Sequence, residues 1–209
     1  MKTCSLVAKK GGVGKSAIAT NIAVCAAADG YSVAIIDLDP QASACVWADV
    51  RDADPEVPAV PVTSIAPSRL HSALDKCSSA GIDLTVIDTA PSADSGLLAA
   101  AKAGDLCLLP SKPGLADLSA LSDTVELLKN SKAKGATILN MVATKALKVE
   151  GTKALEGLDF PVVPISIWQR VAWGHAYSGG WGVIEYDSSG KAANEMKQLW
   201  TWLKKQLEI

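Results

Sequence analysis

Residues 8–16 of the chain read Ala8-Lys9-Lys10-Gly11-Gly12-Val13-Gly14-Lys15-Ser16. An apolar run precedes this stretch and an amphipathic run follows it, so the pattern predicts a strand, a glycine-rich loop and a helix. Glycines allow successive backbone N–H groups to converge on phosphate oxygens, and the N-terminus of the following helix adds positive potential. The stretch therefore predicts a phosphate-binding loop.

The side chains at the end of the loop indicate which phosphate compound binds. The Lys15 amine can reach β- and γ-phosphates, and the Ser16 hydroxyl can ligate Mg²⁺, so we predict ATP and Mg²⁺ as cofactors. The loop departs from the spacing G-x-x-x-x-G-K-[ST], because Lys9 stands where the first glycine would be. The predicted cofactor contacts are Lys10, Gly11, Gly12, Val13, Gly14, Lys15, Ser16 and Ala17.

Length and composition favour one globular α/β domain spanning residues 1–209. The net charge of −2 excludes a polycation, so nucleic-acid binding would need a local basic patch. The five cysteines are scattered without metal-ligand spacing, which is typical of reduced, buried thiols. Lysines interrupt the first apolar run, and no apolar run matches the thickness of a bilayer, so we expect a cytoplasmic protein.

Apolar runs alternate with amphipathic ones along the chain. This alternation predicts a doubly wound, mostly parallel sheet flanked by helices on both faces, with ligands at the carboxyl ends of the strands. We also expect a short strand at Pro161–Pro164, a glycine- and aromatic-rich loop over Ile165–Asp187, and a closing helix at Ser189–Leu207. The main predicted strands are 3–8, 32–37, 82–88, 106–110 and 136–143, and the main predicted helices are 15–29, 43–50, 67–80, 95–103, 116–132 and 150–158.

Two predicted strands deliver carboxylates to the same end of the sheet. Asp39 lies in Asp37-Leu38-Asp39-Pro40-Gln41, where it can hold Mg²⁺ through water or orient the water that attacks the γ-phosphate. The alternative for Asp39 is a helix cap or turn residue. For Asp37, such a structural role and a role at the phosphates are equally favoured.

The other carboxylate, Asp88, ends the apolar run Leu84-Thr85-Val86-Ile87-Asp88, which has the Walker B form. A buried charge there is costly without a partner, and a metal centre supplies one. We therefore predict that Ser16, Asp39 and Asp88 serve the metal. The following Thr89-Ala90-Pro91-Ser92 is predicted to be a switch loop that senses the γ-phosphate.

The stretches Lys10–Ser16, Asp37–Gln41 and Asp88–Pro91 resemble the ParA/MinD family of deviant Walker A P-loop ATPases in identity, order and spacing. The likeness is strongest to short ParA-type partition ATPases that lack an N-terminal helix-turn-helix. It implies slow, partner-stimulated ATP hydrolysis with Lys10, Lys15 and Asp39 as catalytic residues. It also implies a nucleotide-sandwich homodimer, in which Lys10 reaches the partner's phosphates. Lys9 could strengthen that dimer or face solvent.

The resemblance further implies that the ATP-bound dimer binds non-specific DNA on the nucleoid and segregates plasmids or chromosomes with a ParB-like adaptor. Arg170, Lys197, Lys204 and Lys205 are then candidates for DNA contacts. A structural ion pair is an equal alternative for Arg170, and a solvated helix face is the alternative for the lysines. Thr144 and Lys145 are carried over from the family as candidate adenine contacts.

Other functions compete with DNA partition. Related ATPases position carboxysomes or chemoreceptor clusters, and the amphipathic C-terminal stretch would also suit a MinD-like ATPase that cycles on membranes. We favour core packing for that stretch, because its apolar residues form one stripe, and we expect no stable membrane association. The cysteine positions disfavour a nitrogenase-reductase-like cluster, and the presence of Lys10, Lys15 and Asp39 disfavours a scaffold without hydrolysis. We assign no catalytic role to His71 or His175, and we expect the loop tryptophans to pack or to contact a partner.

Overall fold

The apolar runs form one parallel six-stranded sheet in the computed structural model, which describes residues 1–91 and 94–209. The strands are β1 (Lys2–Leu6), β2 (Val33–Asp37), β3 (Val62–Ser64), β4 (Leu84–Asp88), β5 (Leu106–Ser111) and β6 (Gly135–Leu139). Neighbouring strands lie in the order β3-β2-β4-β1-β5-β6. All but the edge strand β3 are buried along nearly their whole length, which is typical of a parallel sheet covered on both faces.

Helices connect the strands and cover both faces, so the doubly wound fold predicted from the sequence is confirmed. A 3₁₀ turn at Pro67–Arg69 leads into the third helix. The helices are α1 (Lys15–Ala28), α2 (Ser43–Asp52), α3 (Leu70–Ser79), α4 (Asp94–Ala103), α5 (Leu115–Ser131), α6 (Lys145–Glu156), α7 (Val171–Ser178), α8 (Val183–Tyr186) and α9 (Lys191–Leu207).

Each face of the sheet has its own apolar core. One core joins the sheet to α1, α2 and the C-terminal helices α7–α9, and the other joins it to α3–α6. The predicted apolar stripe of α9 is buried in the first core and includes Met196, Leu199, Trp200, Leu203 and Leu207. Within the described ranges, none of the helices combines the length and the apolar character needed to cross a bilayer.

The strand register brings the predicted carboxylates together. Asp88, the last residue of β4, lies level with Leu6 of β1 on one side and with Asp37 of β2 on the other. The loop after β1 and the loop after β2 therefore leave the sheet on either side of Asp88. This is the edge at which ligands bind in doubly wound folds.

The predicted loop over Ile165–Asp187 is wrong in part, because α7 and α8 lie within it. Helix α7 buries Ala176 and partly buries Ala172, Trp173 and Tyr177, which is a helical spacing that the surrounding glycines obscured. The helix is short, and its packing against α2 and α8 stabilises it.

The strand predicted at Pro161–Pro164 is also wrong. The structure has there only an isolated bridge between Val162 and Thr137. Prolines at both ends of the stretch have no N–H to donate, so a longer ladder cannot form.

The helix that follows the Asp37–Gln41 stretch, α2, is fastened to the C-terminal segment by a buried arginine. Arg51 is 1% exposed, and its guanidinium bonds the Gly180 carbonyl and both carboxylate oxygens of Glu185, at 2.7 to 2.9 Å. Its Nε donates to the Pro58 carbonyl, and the guanidinium lies over the Trp47 ring at 5.2 Å. The Arg51 guanidinium and the Glu185 carboxylate form a pair with two hydrogen bonds, and nearly all N–H donors of Arg51 have an acceptor. The buried charge of Arg51 is therefore well compensated.

Candidate nucleotide site

Glycines shape the loop between β1 and α1. Gly12 and Gly14 have φ angles of 68° and 88°, a left-handed conformation that L side chains rarely adopt. A Cβ added at Gly14 would lie 2.3 Å from Nδ2 of Asn140, so the position also has no room for a side chain. That Asn140 amide donates to the Val13 carbonyl at 2.7 Å and so braces the loop from the end of β6.

The lysine at the start of α1 points back into the loop. Lys15 is 6% exposed, and its Nζ lies 3.4 Å from the Ala8 carbonyl and 3.5 Å from the Lys10 carbonyl. Burial lowers the pKa of Lys15, and the negative charges of Asp88 and Asp39 oppose that shift. The amine is therefore held at the phosphate loop with carboxylates nearby.

The loop opens onto a cavity of about 290 Å³, which also reaches the loop after β2 and the C-terminal part of α7. Most of the predicted cofactor contacts line this cavity. Val13 lies buried behind the loop instead, and Lys10 stands to the side. The lining residues are Gly11, Gly12, Gly14, Lys15, Ser16, Ala17, Asp39, Ser43, Pro91 and Tyr177.

The Asp88 carboxylate is fully buried, and neither of its oxygens has a hydrogen-bond partner within the described part of the chain. Burial raises its pKa to about 7. The Ser16 hydroxyl and the Lys15 charge are near enough to oppose this rise, whereas the Asp37 and Asp39 charges add to it. A buried, unpartnered carboxylate next to a serine hydroxyl fits a Mg²⁺ ion and its waters.

The oxygen atoms of Ser16, Asp39 and Asp88 would suit a metal ion that takes its remaining ligands from phosphate and water. Within residues 1–91 and 94–209, no cluster of three or more His, Cys, Asp or Glu side chains could hold a metal by itself. Mg²⁺ usually keeps several waters and takes substrate phosphates as ligands, so one hydroxyl and nearby carboxylates suffice. Ser16 would hold the ion, with Asp39 and Asp88 close to its waters.

The structure separates the roles of Asp37 and Asp39. Asp37 is fully buried, and its two oxygens accept hydrogen bonds from the backbone N–H groups of Asp39 and Ala44, at 2.9 and 3.0 Å. Burial raises the pKa of Asp37, and these backbone bonds oppose the rise. Asp37 therefore holds the start of α2, whereas Asp39 lines the cavity and accepts a bond from the Gln41 N–H at 2.9 Å.

The additional lysine of the loop is paired within its own chain. Lys10 Nζ lies 3.0 Å from a carboxylate oxygen of Asp117, in the first turn of α5. The Lys10 side chain is still 37% exposed, so it stands at the surface beside the cavity. The backbone N–H of Lys9 donates to the Thr124 hydroxyl at 3.4 Å, and the role of the Lys9 side chain remains a prediction with two alternatives.

The predicted adenine contacts, Thr144 and Lys145, do not line the cavity at the glycine loop, which we call the phosphate cavity. The Thr144 hydroxyl caps α6 by accepting from the Leu147 N–H at 3.2 Å, and Lys145 begins that helix on the exposed surface. Their role toward adenine stays a prediction. Of the predicted switch loop, Ser92 lies outside the described residues, while the Thr89 hydroxyl donates to the Leu6 carbonyl at 2.7 Å.

Two of the predicted DNA contacts take part in ion pairs. Arg170 pairs with Glu195, to which its Nε donates at 2.9 Å, and Lys204 pairs with Asp29 at 2.6 Å. Lys197 Nζ donates to the Ser188 carbonyl at 2.7 Å, and Lys205 is exposed. DNA binding by these four residues stays a prediction.

The sequence analysis missed three residues of the site: Asn140, Tyr177 and Ser43, which lines the cavity at the start of α2. Asn140 follows the last residue of β6, and a polar residue directly after an apolar strand was a signal that could have revealed it. Tyr177 lines the cavity and donates to the Ser43 carbonyl at 2.8 Å. No local sequence signal pointed to Tyr177, because the segment that forms its helix was predicted to be a loop.

Comparison with known proteins shows a family of nucleotide-binding domains. The family model described as "CobQ/CobB/MinD/ParA nucleotide binding domain" matches residues 4–177. A Halothiobacillus neapolitanus protein named "Maintenance of carboxysome distribution protein A" is 28% identical over 207 residues, covering 94% of each chain. A Gloeobacter kilaueensis protein of the same name is 33% identical over 190 residues, covering 89% of this chain and 84% of that protein.

Solved structures show the same fold. The septum site-determining protein MinD of Pyrococcus horikoshii, solved with Mg-ADP, superposes with a TM-score of 0.82 at 18% identity. The superposition covers 98% of this chain and 96% of that chain. The resemblance drawn from the loop and strand-end motifs is thereby confirmed.

The pKa of Asp88 predicts how stability depends on pH. The folded protein binds the Asp88 proton more tightly than the unfolded chain does. The stability that comes from this tighter proton binding is fully present below about pH 4 and is lost as the pH rises through about 7. Asp88→Asn should therefore be more stable than wild type above pH 7, by up to about 4 kcal/mol. Urea unfolding from pH 5 to 9, without nucleotide or metal, measures this difference.

A matched control is Asp123→Asn, which changes an exposed carboxylate on α5. It should follow the wild-type profile. Parallel profiles for Asp88→Asn and wild type would contradict the raised pKa.

Proposed function

This chain belongs to the CobQ/CobB/MinD/ParA family of nucleotide-binding domains, and on that basis we propose that it is a ParA-type ATPase that dimerises around Mg-ATP and positions a protein cargo. The observation that carries the proposal is the meeting of the glycine loop, Lys15, Ser16 and the unpartnered Asp88 at one end of the sheet. Hydrolysis is expected to be slow and to be stimulated by a partner protein.

The residues divide the work of phosphoryl transfer between binding and orientation. Backbone N–H groups of the loop and the Lys15 amine would bind the phosphates, and Ser16 would hold the metal, with Asp88 close to its waters. When bound, Mg²⁺ neutralises charge on the phosphate oxygens. Asp39 would orient the attacking water from the loop after β2.

Lys10 supports the dimeric part of the proposal. One lysine, Lys15, is already buried against the loop, whereas Lys10 stands at the surface beside the cavity and pairs only with the partly exposed Asp117 among the contacts described for it. A surface ion pair of this kind is worth about 1 kcal/mol or less, so it can be exchanged for a stronger partner. Phosphates bound in a second copy of this chain would be such a partner.

Two lysine variants separate nucleotide binding from dimerisation. Lys15→Ala should lower ATP affinity at least about 100-fold, because it removes the buried amine at the phosphates. Lys10→Ala should bind ATP within about threefold of wild type but stay monomeric, because one exposed ion pair contributes little to its own protomer. Fluorescent-nucleotide titration and light scattering with Mg-ATP measure the two properties.

The outcomes bear on different parts of the proposal. Unchanged ATP affinity in Lys15→Ala would overturn the nucleotide site. A Lys10→Ala protein that dimerises with ATP as wild type does would overturn the contact between subunits.

The relatives favour a protein cargo over plasmid partition. Two curated relatives, at 28% and 33% identity, carry the name of a carboxysome distribution protein, and they align over at least 84% of their lengths. We therefore propose a carboxysome-like compartment as the cargo, reached through a small adaptor. Partition of a plasmid or chromosome with a ParB-like adaptor is the second candidate, because the same fold and site would support it.

Deleting the gene in the native host distinguishes the two cargoes. Loss of even compartment spacing with unchanged plasmid retention, seen by fluorescence microscopy and plating, is the expected result. Plasmid loss with normal compartment spacing would favour the second candidate. Restoring the gene on a second locus controls for effects on neighbouring genes.

A basic groove between α9, α6 and the segment that joins α6 to α7 supports binding to the nucleoid. Two adjoining cavities of about 670 and 300 Å³ share Pro164, Ile165, Asn194 and Gln198. Glu195 also lines the groove, but it is 8% exposed and paired with Arg170. The basic residues that line the groove are Lys148, Arg170, Lys191, Lys197 and Lys205.

We propose that this groove contacts the phosphates of DNA without regard to sequence. The overall charge of −2 cannot attract DNA, but clustered lysines on one face can do so locally. Lys204 would not take part, since it pairs with Asp29 and lies over the Trp200 ring at 5.8 Å.

The double variant Lys191→Ala with Lys205→Ala should weaken binding of the ATP-bound protein to DNA at least about tenfold. The plot of log affinity against log salt should become shallower by about 2, because two phosphate contacts are lost. Lys76→Ala with Lys102→Ala removes the same charge from exposed positions on α3 and α4. Fluorescence anisotropy with a labelled duplex measures both; equal losses in the two pairs would contradict the groove.

A further inference from the structure

Helix α2 is fastened to the segment 177–185 along its whole length. At its first residue, the Tyr177 hydroxyl donates to the Ser43 carbonyl at 2.8 Å. In the middle, Trp47 Nε1 donates to the Trp181 carbonyl at 3.3 Å, and towards the end Arg51 bonds the Gly180 carbonyl at 2.9 Å. The first of these bonds differs from the others, because it lies at the phosphate cavity.

The Tyr177 side chain has two functions in this position. It forms part of the cavity wall, together with the glycine loop and Asp39. Burial raises the pKa of Tyr177 to about 12, and the charges of Asp88 and Asp37 add to that rise. The hydroxyl therefore keeps its proton and remains a donor to Ser43 throughout the physiological pH range.

The loop that carries Asp39 is held at both ends. At the sheet, the Asp37 carboxylate bonds the N–H groups of Asp39 and Ala44. At the first turn of α2, Tyr177 holds the Ser43 carbonyl. Between these points the described bonds of the loop are local ones, from Gln41 to the Asp39 carboxylate and from Ala42 to the Asp39 carbonyl.

We propose that Tyr177 is a positioning residue, which holds the Asp39 loop in the conformation needed for hydrolysis through its bond to Ser43. This role rests on the proposed ATPase function and adds to it a residue from a C-terminal helix. Orientation within a few tenths of an ångström strongly affects a reaction that depends on positioning, so one hydrogen bond to the loop is sufficient to change the rate.

The remaining bonds between α2 and the segment 177–185 make the hydroxyl removable without loss of the fold. Trp47 and Arg51 hold the middle and the end of α2 independently of Tyr177. Phenylalanine at position 177 keeps the ring in the cavity wall and loses only the donor. A change in rate then reports on the loop and not on the docking of α2.

Tyr177→Phe should lower kcat for ATP hydrolysis about tenfold, equivalent to about 1.4 kcal/mol, with KM and ATP affinity within about twofold of wild type. Amide hydrogen exchange in peptides spanning residues 38–46, measured without nucleotide, should become severalfold faster. Tyr186→Phe is the matched control, because its hydroxyl lies 3.3 Å from Nδ1 of His175 on the exposed surface. It should leave kcat, affinity and exchange unchanged.

Two results would overturn the proposal. One is a Tyr177→Phe protein with wild-type kcat and wild-type exchange in residues 38–46. The other is a fall in kcat matched by an equal fall in ATP affinity, which would indicate a binding contact and no positioning. A wild-type chain that binds ATP without hydrolysing it would contradict the proposed ATPase itself.

The variant Tyr177→Ser removes both the ring and the hydroxyl. It should lower ATP affinity as well as the rate if the ring lines the bound nucleotide.

Discussion

The buried carboxylate of Asp88 is the constraint on which the site depends. The register of β4 between β1 and β2 places this side chain level with Leu6 and Asp37, away from solvent. Neither carboxylate oxygen makes a hydrogen bond within the described part of the chain, although the Ser16 hydroxyl and Lys15 lie nearby. Such a group is costly as an anion unless a cation comes to it. In the proposed function, Lys15 and a metal held at Ser16 would be these cations, and the unfavourable burial of Asp88 would favour their binding at this edge of the sheet.

The neighbouring carboxylate, Asp37, is compensated in a different way, by hydrogen bonds within the protein. It is as deeply buried as Asp88, but backbone N–H groups of Asp39 and Ala44 satisfy both of its oxygens. Asp37 therefore fixes the loop and leaves Asp39 free to face the cavity. Two aspartates in adjacent strands thus differ: the protein's own N–H groups compensate Asp37, whereas Asp88 would be compensated by the proposed ligand.

The sequence predicted those parts of the molecule that depend on local pattern. The glycine loop, the strand-ending Asp88 and the alternation of strands and helices are all encoded within a few residues, and the structure has them at or near the predicted bounds. Helix α7 was missed because Gly174 interrupts its short period and only long-range packing stabilises it. Tyr177 and the pairing of Lys10 with Asp117 were out of reach for the same reason, since each joins residues distant in the chain.

The most direct test of the account is calorimetric titration of the nucleotide-free protein with ATP, in Mg²⁺ and then in EDTA. If Asp88 is held unpartnered for a metal, ATP should bind once per chain and at least about tenfold more tightly with Mg²⁺ than without it. Binding of equal strength in EDTA, or no binding in either buffer, would contradict the claim that this strand-end site is built for a metal-bound nucleotide.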